Sequence, residues 1–144
     1  MSQENQTKIH LAYIETSNGP WILIFGSMFS DFSPLISLFD DLSNGKKQHC
    51  ELHRESYIIP HDNIGITIKS LSGKKDLDTL EQNKTDSAFF EWCCSRETWV
   101  DCKEKITCLA NASNAGHQYV FSKASCMLVV ISRGEYSEDI QFLL

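Results

Sequence analysis

The last long apolar run of the chain is the feature that most constrains its fold. Residues 126–132 read Cys-Met-Leu-Val-Val-Ile-Ser and carry no charge. Because β-branched and other apolar side chains occupy consecutive positions, the run predicts a central strand that is buried on both faces of a sheet. Gly134 ends this strand, since glycine adopts backbone angles that other residues avoid. Three carboxylates follow where the chain leaves the sheet, so the core gives way to an acidic edge: Glu135, Glu138 and Asp139.

Strand-like segments precede this run. Residues 9–14 and 21–25 flank an Asn-Gly-Pro sequence, which predicts a hairpin. Residues 48–54 predict a further strand. Residues 65–71 alternate between apolar and polar side chains, as expected of a strand with one exposed face. Residues 72–86 are mostly polar and predict a loop.

The best-marked helix starts at Ser33 and ends before Gly45. Ser33 is a typical capping residue, Pro34 suits the first helical position, and Gly45 suits the position just past the end. The apolar residues recur at helical spacing and predict one buried stripe: Leu35, Leu38, Phe39 and Leu42. This stripe places Asp40 and Asp41 toward solvent.

A second unit of strand and helix follows. Residues 89–94 predict a strand, Ser95 a helix cap, and residues 96–111 a helix. One face of this helix is apolar and contains Trp99, Cys102, Ile106 and Leu109. Residues 117–121 then predict a strand that pairs with the terminal run as a hairpin.

This order of elements favours an α+β fold. The connections between strands are too short for the crossover helices of a parallel doubly wound sheet, so that architecture ranks second. We therefore expect a mainly antiparallel sheet of about six to seven strands with two helices packed against it. The 144 residues fit a single domain, 1–144, with residues 1–8 frayed.

The charge balance restricts the class of partner. Thirteen basic and nineteen acidic residues give a net charge of −6. This charge repels phosphate and argues against direct binding of nucleic acid, whereas it attracts a basic protein. The same charge also serves solubility, which is the simpler explanation. No apolar run approaches the roughly 20 residues that span a bilayer, and the polar start lacks a secretory signal, so we expect a cytoplasmic protein.

One segment carries the residue types of a metal site. On a strand, His49, Glu51 and His53 project to the same face, and imidazole and carboxylate groups are zinc ligands. The glutamate does not follow the first histidine directly, as it does in zinc proteases. We therefore favour an exposed polar face of a half-buried strand and predict no metal or other cofactor. A metal-dependent enzyme at this face is the alternative.

Other catalytic patterns are weak. Cys93 or Cys94 with His117 and Asp101 supplies the residue types of a nucleophilic triad, but no local pattern places a thiol in a polar pocket. The sequence contains no Gly-rich phosphate-binding motif. It also contains no Cys-x-x-Cys pair, so we expect the six cysteines to be buried thiols rather than zinc ligands.

The acidic residues are the remaining functional candidates. They occur in the first helix, around the second helix and after the terminal strand, and aromatic residues lie among them. If such groups share a face, the surface combines an aromatic anchor with charges that steer a basic partner. The candidate partner-binding residues are Asp40, Asp41, Glu91, Glu97, Trp99, Asp101, Glu135, Tyr136, Glu138 and Asp139.

The terminal hairpin also carries a resemblance to a known family. Its segments read Gly-His-Gln-Tyr-Val-Phe at residues 116–121 and Val-Val-Ile-Ser-Arg-Gly-Glu-Tyr at residues 129–136. With its size, acidity and α+β pattern, the chain resembles the small cytosolic immunity proteins of bacterial polymorphic toxins, of which contact-dependent growth inhibition systems are the leading example. The resemblance implies a non-enzymatic protein that binds and neutralises a cognate toxin domain, often a ribonuclease or deoxyribonuclease. A small adaptor protein is a further alternative.

Overall fold

The computed structural model of the protein describes residues 7–17, 19–73, 77–122 and 127–136. In chain order the elements are β1 (Ile9–Thr16), β2 (Gly19–Gly26), α1 (Ser33–Asn44), β3 (His49–Glu51), a 3₁₀ turn (Leu52–Arg54), β4 (Ile58–Pro60), β5 (Gly65–Leu71), β6 (Thr79–Gln82), β7 (Phe89–Ser95), α2 (Arg96–Ala110), β8 (Gly116–Phe121) and β9 (Leu128–Arg133). The chain is therefore an α+β protein, as the sequence predicts.

The strands form two mixed sheets. Sheet A has the order β4-β1-β2-β9-β8, and sheet B has the order β3-β5-β7-β6. Three strand pairs are parallel, namely β1 with β4, β2 with β9 and β5 with β7. The prediction of one mainly antiparallel sheet with six to seven strands is therefore wrong in its detail. The parallel pairs join strands that lie far apart in sequence, whereas hairpin signals report only neighbouring segments.

The main hydrophobic core contains side chains from both sheets and from helices α1 and α2. Phe39 of α1, Trp92 of β7 and Trp99 of α2 are buried and in mutual contact, with the two tryptophan ring centroids 4.9 Å apart. Each fully buried side chain of this kind contributes about 1.5–3 kcal/mol through removal of apolar surface from water. The core therefore holds the helices against the sheets.

A second, smaller cluster occupies the other face of sheet A. It contains Ala12, Ile14, Leu23, Phe25 and Val130. On β9, Val129 and Ile131 belong to the main core, whereas Val130 belongs to this second cluster. Since β9 pairs with β2 on one side and β8 on the other, the prediction of an interior strand buried on both faces is confirmed.

The helices largely follow their sequence signals. The predicted apolar stripe of α1 is buried, Pro34 lies in its first turn, and Gly45 ends it with φ 84°. Ser33 is not the cap, because Phe32 precedes the helix and the Asp31 carboxylate accepts a hydrogen bond from the Ser33 N–H at 2.9 Å. The cap of α2 is confirmed, since the Ser95 side chain accepts a hydrogen bond from the Thr98 N–H.

Short strands account for most of the local errors. Strand β3 ends at Glu51, because the chain then turns to bury Leu52. Strand β6 lies within the segment predicted as a loop, where Leu80 is its single buried side chain. Strand β4 was not predicted, since it is only three residues long and ends in Pro60. Within the described ranges, no helix is long and apolar enough to cross a lipid bilayer.

The predicted hairpins at the two ends of the chain are confirmed. Strands β1 and β2 are antiparallel, as are β8 and β9. The connection between β8 and β9 at residues 123–126 lies outside the described ranges, as do residues 1–6 of the predicted frayed start.

Candidate functional site

The end of β9 is fixed beside the end of β2. These strands run parallel, with Gly26 opposite Arg133. The Gly134 N–H donates a hydrogen bond to the Gly26 carbonyl at 2.7 Å, and Gly134 adopts φ 80°, a left-handed backbone that glycine adopts without strain. The chain therefore leaves sheet A in a defined direction. The residues grouped there, called the rim below, are His117, Ser132, Glu135 and Tyr136.

Two side chains hold the Glu135 carboxylate in place. The Ser132 hydroxyl donates a hydrogen bond to Oε1 at 2.6 Å, and His117 Nδ1 lies 3.0 Å from both carboxylate oxygens. Ser132 is fully buried in β9 and lies opposite His117 of β8 in the strand register. The Glu135 side chain keeps 31% of its surface exposed. A partly exposed carboxylate is thus oriented by the end of sheet A.

The same contacts keep Glu135 ionised. Partial burial alone raises the pKa of a carboxyl group, but hydrogen bonds from Ser132 and His117 outweigh that effect and hold the Glu135 pKa below its usual value. Glu135 is therefore negatively charged at neutral pH.

Tyr136 ties the rim to the second hydrophobic cluster. Its ring centroid lies 5.9 Å from that of Phe25, which stacks on His10 at 4.9 Å. His10 Nδ1 lies 2.9 Å from His61 Nε2. Burial and the neighbouring His61 lower the pKa of His10 to about 4. This histidine pair carries no signal in the sequence, because its members are 51 positions apart and only His10 interrupts an apolar strand.

The rim contains the residue types of a hydrolytic triad in an order that does not suit catalysis. In a serine hydrolase the histidine lies between the serine and the carboxylate and takes the serine proton. Here Glu135 lies between Ser132 and His117, and both hydrogen-bond to it. The arrangement fixes a carboxylate rather than activating a nucleophile.

Two predicted acidic residues, Asp40 of α1 and Glu91 of β7, have local basic partners. Asp40 accepts a hydrogen bond from Lys103 Nζ at 2.8 Å, which joins α1 to α2 and lowers the Asp40 pKa. Asp41, its neighbour, is half-buried. Glu91 lies 3.0 Å from Lys69 across sheet B, and the hydrogen bond from Lys69 lowers its pKa. These residues do not converge with the rim.

Helix α2 carries a separate acidic group, called the α2 face below and consisting of Glu97, Asp101 and Glu104. Glu97 lies in the first turn of the helix. Asp101 lines a cleft of about 490 Å³ between α2 and β8, together with Asp78 and Tyr119. Tyr119 is 47% exposed.

Trp99 is a correction to the predicted binding surface. It is fully buried in the main core, against Phe39 and Trp92, so it is not an exposed aromatic contact. Its position follows from helical spacing, because Cys102 and Ile106 on the same face are buried too. The exposed aromatic residue that lines the Asp101 cleft is Tyr119, which was not among the predicted residues, and its ring centroid lies 5.3 Å from that of His117.

Asp78 was not predicted as a functional residue either. It is 4% exposed, and its carboxylate accepts hydrogen bonds from the Ser95 N–H at 2.7 Å and from the Thr98 hydroxyl. It thus binds the N-terminus of α2, where negative charge is favourable. Its position in a segment without strong periodicity offered no signal.

Two predicted partner-binding residues, Glu138 and Asp139, lie outside the described ranges. Among the described candidates, Glu135 and Tyr136 share the rim, and Glu97 and Asp101 share the α2 face.

The metal-binding face proposed as an alternative is not formed. His49 and Glu51 are exposed on β3, whereas His53 lies in the 3₁₀ turn and its Nδ1 accepts a hydrogen bond from the Ile66 N–H at 3.0 Å. The alternation of a strand therefore stops before His53. In the part of the chain that the structure describes, no three His, Cys, Asp or Glu side chains form a group suited to a metal ion.

The proposed cysteine triad is also not assembled. Cys93 and Cys94 lie on β7 of sheet B, whereas His117 lies on β8 of sheet A and contacts Glu135. Burial raises the pKa of both thiols and disfavours the thiolate. Among the described cysteines, Cys50, Cys93, Cys94 and Cys102 are buried thiols as predicted, whereas Cys108 is exposed.

Comparison with protein-family models, curated proteins and solved structures found no match for this chain.

Proposed function

We propose that this chain is a non-enzymatic immunity protein that binds and neutralises a cognate toxin domain, a basic nuclease, through the rim. The observation that carries this proposal is the Glu135 carboxylate, which is ionised, partly exposed and held by Ser132 and His117. A carboxylate held in one orientation pairs with a partner's lysine or arginine without a large loss of side-chain freedom.

The net charge of the chain supports the same partner. A nuclease attracts phosphates and therefore carries basic groups around its cleft. The charge of −6 accelerates encounter with such a surface, and the rim then supplies a directed contact. Binding over or beside the cleft excludes the nucleic acid and neutralises the toxin.

Co-purification tests the proposal. The protein is tagged and expressed with the C-terminal fragment of the protein encoded by the gene immediately upstream, called the upstream fragment below. We expect a one-to-one complex that survives moderate salt, and we expect the protein to protect cells against the active fragment. Glu135→Lys should reduce protection, whereas Glu81→Lys, a charge reversal on the exposed face of sheet B, should not.

Two results would contradict the immunity function. One is recovery of the protein alone, without the upstream fragment. The other is a stable complex with a protein that is not toxic, which would indicate an adaptor.

A further inference from the structure

The turn that follows β2 presents apolar side chains beside the rim. Phe29 is 75% exposed and Met28 is 37% exposed, and they occupy the middle of a turn at residues 27–30. Apolar side chains of this size are costly to hydrate, and phenylalanine and methionine are enriched at protein interfaces relative to the rest of the surface.

Hydrogen bonds fix this turn. The Ser27 N–H donates to Ser30 Oγ at 2.9 Å, the Phe29 N–H donates to Ser27 Oγ at 3.1 Å, and the Ser30 N–H donates to the Ser27 carbonyl at 3.2 Å. Ser30 Oγ also donates to the Lys8 carbonyl at 2.9 Å. A Cβ atom on Gly26 would lie 2.6 Å from Ser30 Oγ, so Ser30 packs directly on the end of β2. The backbone that carries Phe29 is therefore fixed by hydrogen bonds before any partner binds.

Contacts join the turn to the rim. A Cβ atom on Gly134 would lie 2.7 Å from the Met28 sulfur and 3.0 Å from the Ala115 Cβ, so Met28 packs on the residue that precedes Glu135. On the other side of the turn, Asp31 accepts hydrogen bonds from Ser33, which lower its pKa. Two ionised carboxylates are thus linked to the turn: Asp31 follows it directly in the chain, and Glu135 follows the glycine that Met28 contacts.

We infer that Phe29 is the anchor residue that inserts into an apolar pocket on the toxin domain, with lysine or arginine side chains at the margin of that pocket. The inference rests on the proposed function and specifies its contact. The exposed ring supplies apolar area that becomes buried on binding, and the hydrogen-bonded turn lowers the entropy cost of ordering the backbone that carries it. The two carboxylates favour a basic surface around the pocket.

Phe89 offers a matched control. It is 38% exposed on sheet B, where its ring lies 5.6 Å from His53 and covers Gly65. This ring packs on its own sheet, whereas the Phe29 ring extends from a turn.

Calorimetric titration of the upstream fragment into purified variants tests the inference. Phe29→Ala should weaken the affinity by about 30-fold or more, the range of an anchor residue, whereas Phe89→Ala should change it less than about 3-fold. Ser30→Ala keeps the ring but loosens the turn, so it should weaken the affinity by about 3- to 10-fold. Thermal unfolding of each variant confirms that it is folded.

The outcomes separate the two claims. If the wild-type protein binds and the affinity of Phe29→Ala lies within about 3-fold of the wild-type value, Phe29 is not the anchor residue and the immunity function stands. If the wild-type protein does not bind the upstream fragment, both are wrong. If Phe29→Ala fails to fold, hydrogen exchange of the wild-type complex decides: slowed exchange of the amides at residues 27–30 supports the anchor, and unchanged exchange overturns it.

Discussion

The rim and the α2 face both carry acidic side chains, yet their carboxylates have different local roles. At the rim, Glu135 follows a buried strand and is oriented by Ser132 and His117. On the α2 face, Glu97 lies in the first turn of a helix, where a negative charge stabilises the helix itself. Acidity alone therefore does not identify a binding surface. The more informative property is a partly exposed carboxylate that neighbouring side chains hold in one orientation.

The largest expected difference between the two regions is their response to acid, because the histidine pair lies behind the rim. His10 protonates at its usual pKa of 6.5 in the unfolded chain but at about 4 in the folded protein. The neutral form therefore favours folding. This contribution is fully present above pH 6.5 and is lost as the pH falls toward 4, by up to about 3 kcal/mol.

Urea unfolding between pH 7 and pH 4.5 measures this loss. His10→Phe retains an aromatic ring against Phe25 and should flatten the pH dependence. If the free energy of unfolding of the variant falls equally steeply with pH, other groups cause the acid sensitivity.

The buried carboxylate of Asp78 supports the N-terminus of α2. Asp78→Ala removes the acceptor of the Ser95 N–H and the Thr98 hydroxyl, and should lower the free energy of unfolding by about 2 kcal/mol. Glu104→Ala, an exposed position on the same helix, should change it by less than about 0.5 kcal/mol. Urea denaturation compares them. Equal effects would show that Asp78 does not support the helix N-terminus.

A smaller effect on stability is expected at Gly134, where the chain leaves β9 beside the rim. Gly134→Ala places a Cβ against Met28 at φ 80°, so it should cost about 1 kcal/mol and displace Glu135. Gly116→Ala on β8 is the control, because its nearest contact would be 3.9 Å away at Leu109. Gly134→Ala should weaken the affinity for the upstream fragment, whereas Gly116→Ala should not. If both variants bind normally, the direction of the chain at Gly134 does not matter for binding.

Local sequence signals predict the elements of this fold better than their pairing. The buried faces of β9 and the stripe of α1 follow from side-chain spacing, and both are confirmed. The parallel pairing of β2 with β9 depends on contacts between distant segments, which no local pattern carries. Strand β6 was not predicted, because a strand with one buried residue, Leu80, shows no clear alternation of apolar and polar side chains.

For the candidate site too, local patterns predict where residues lie along the chain better than which residues they contact. Glu135 and Tyr136 follow a strand that the sequence marks, so their place at the end of the sheet could be predicted. The contacts of Glu135 with Ser132 and His117 depend on the register of β8 against β9, which the sequence does not specify. Trp99 shows a further limit, since its helical spacing indicates the core while its aromatic character is typical of an interface.

The central claim is that the rim, rather than the α2 face, binds a basic partner. The most direct measurement is the affinity of the upstream fragment for Glu135→Gln and for Asp101→Asn, each at two salt concentrations. Both substitutions remove one charge and keep the shape of the side chain. The rim model predicts that Glu135→Gln weakens binding by about tenfold and reduces its salt dependence, while Asp101→Asn stays close to wild type. A large loss with Asp101→Asn and none with Glu135→Gln would contradict it.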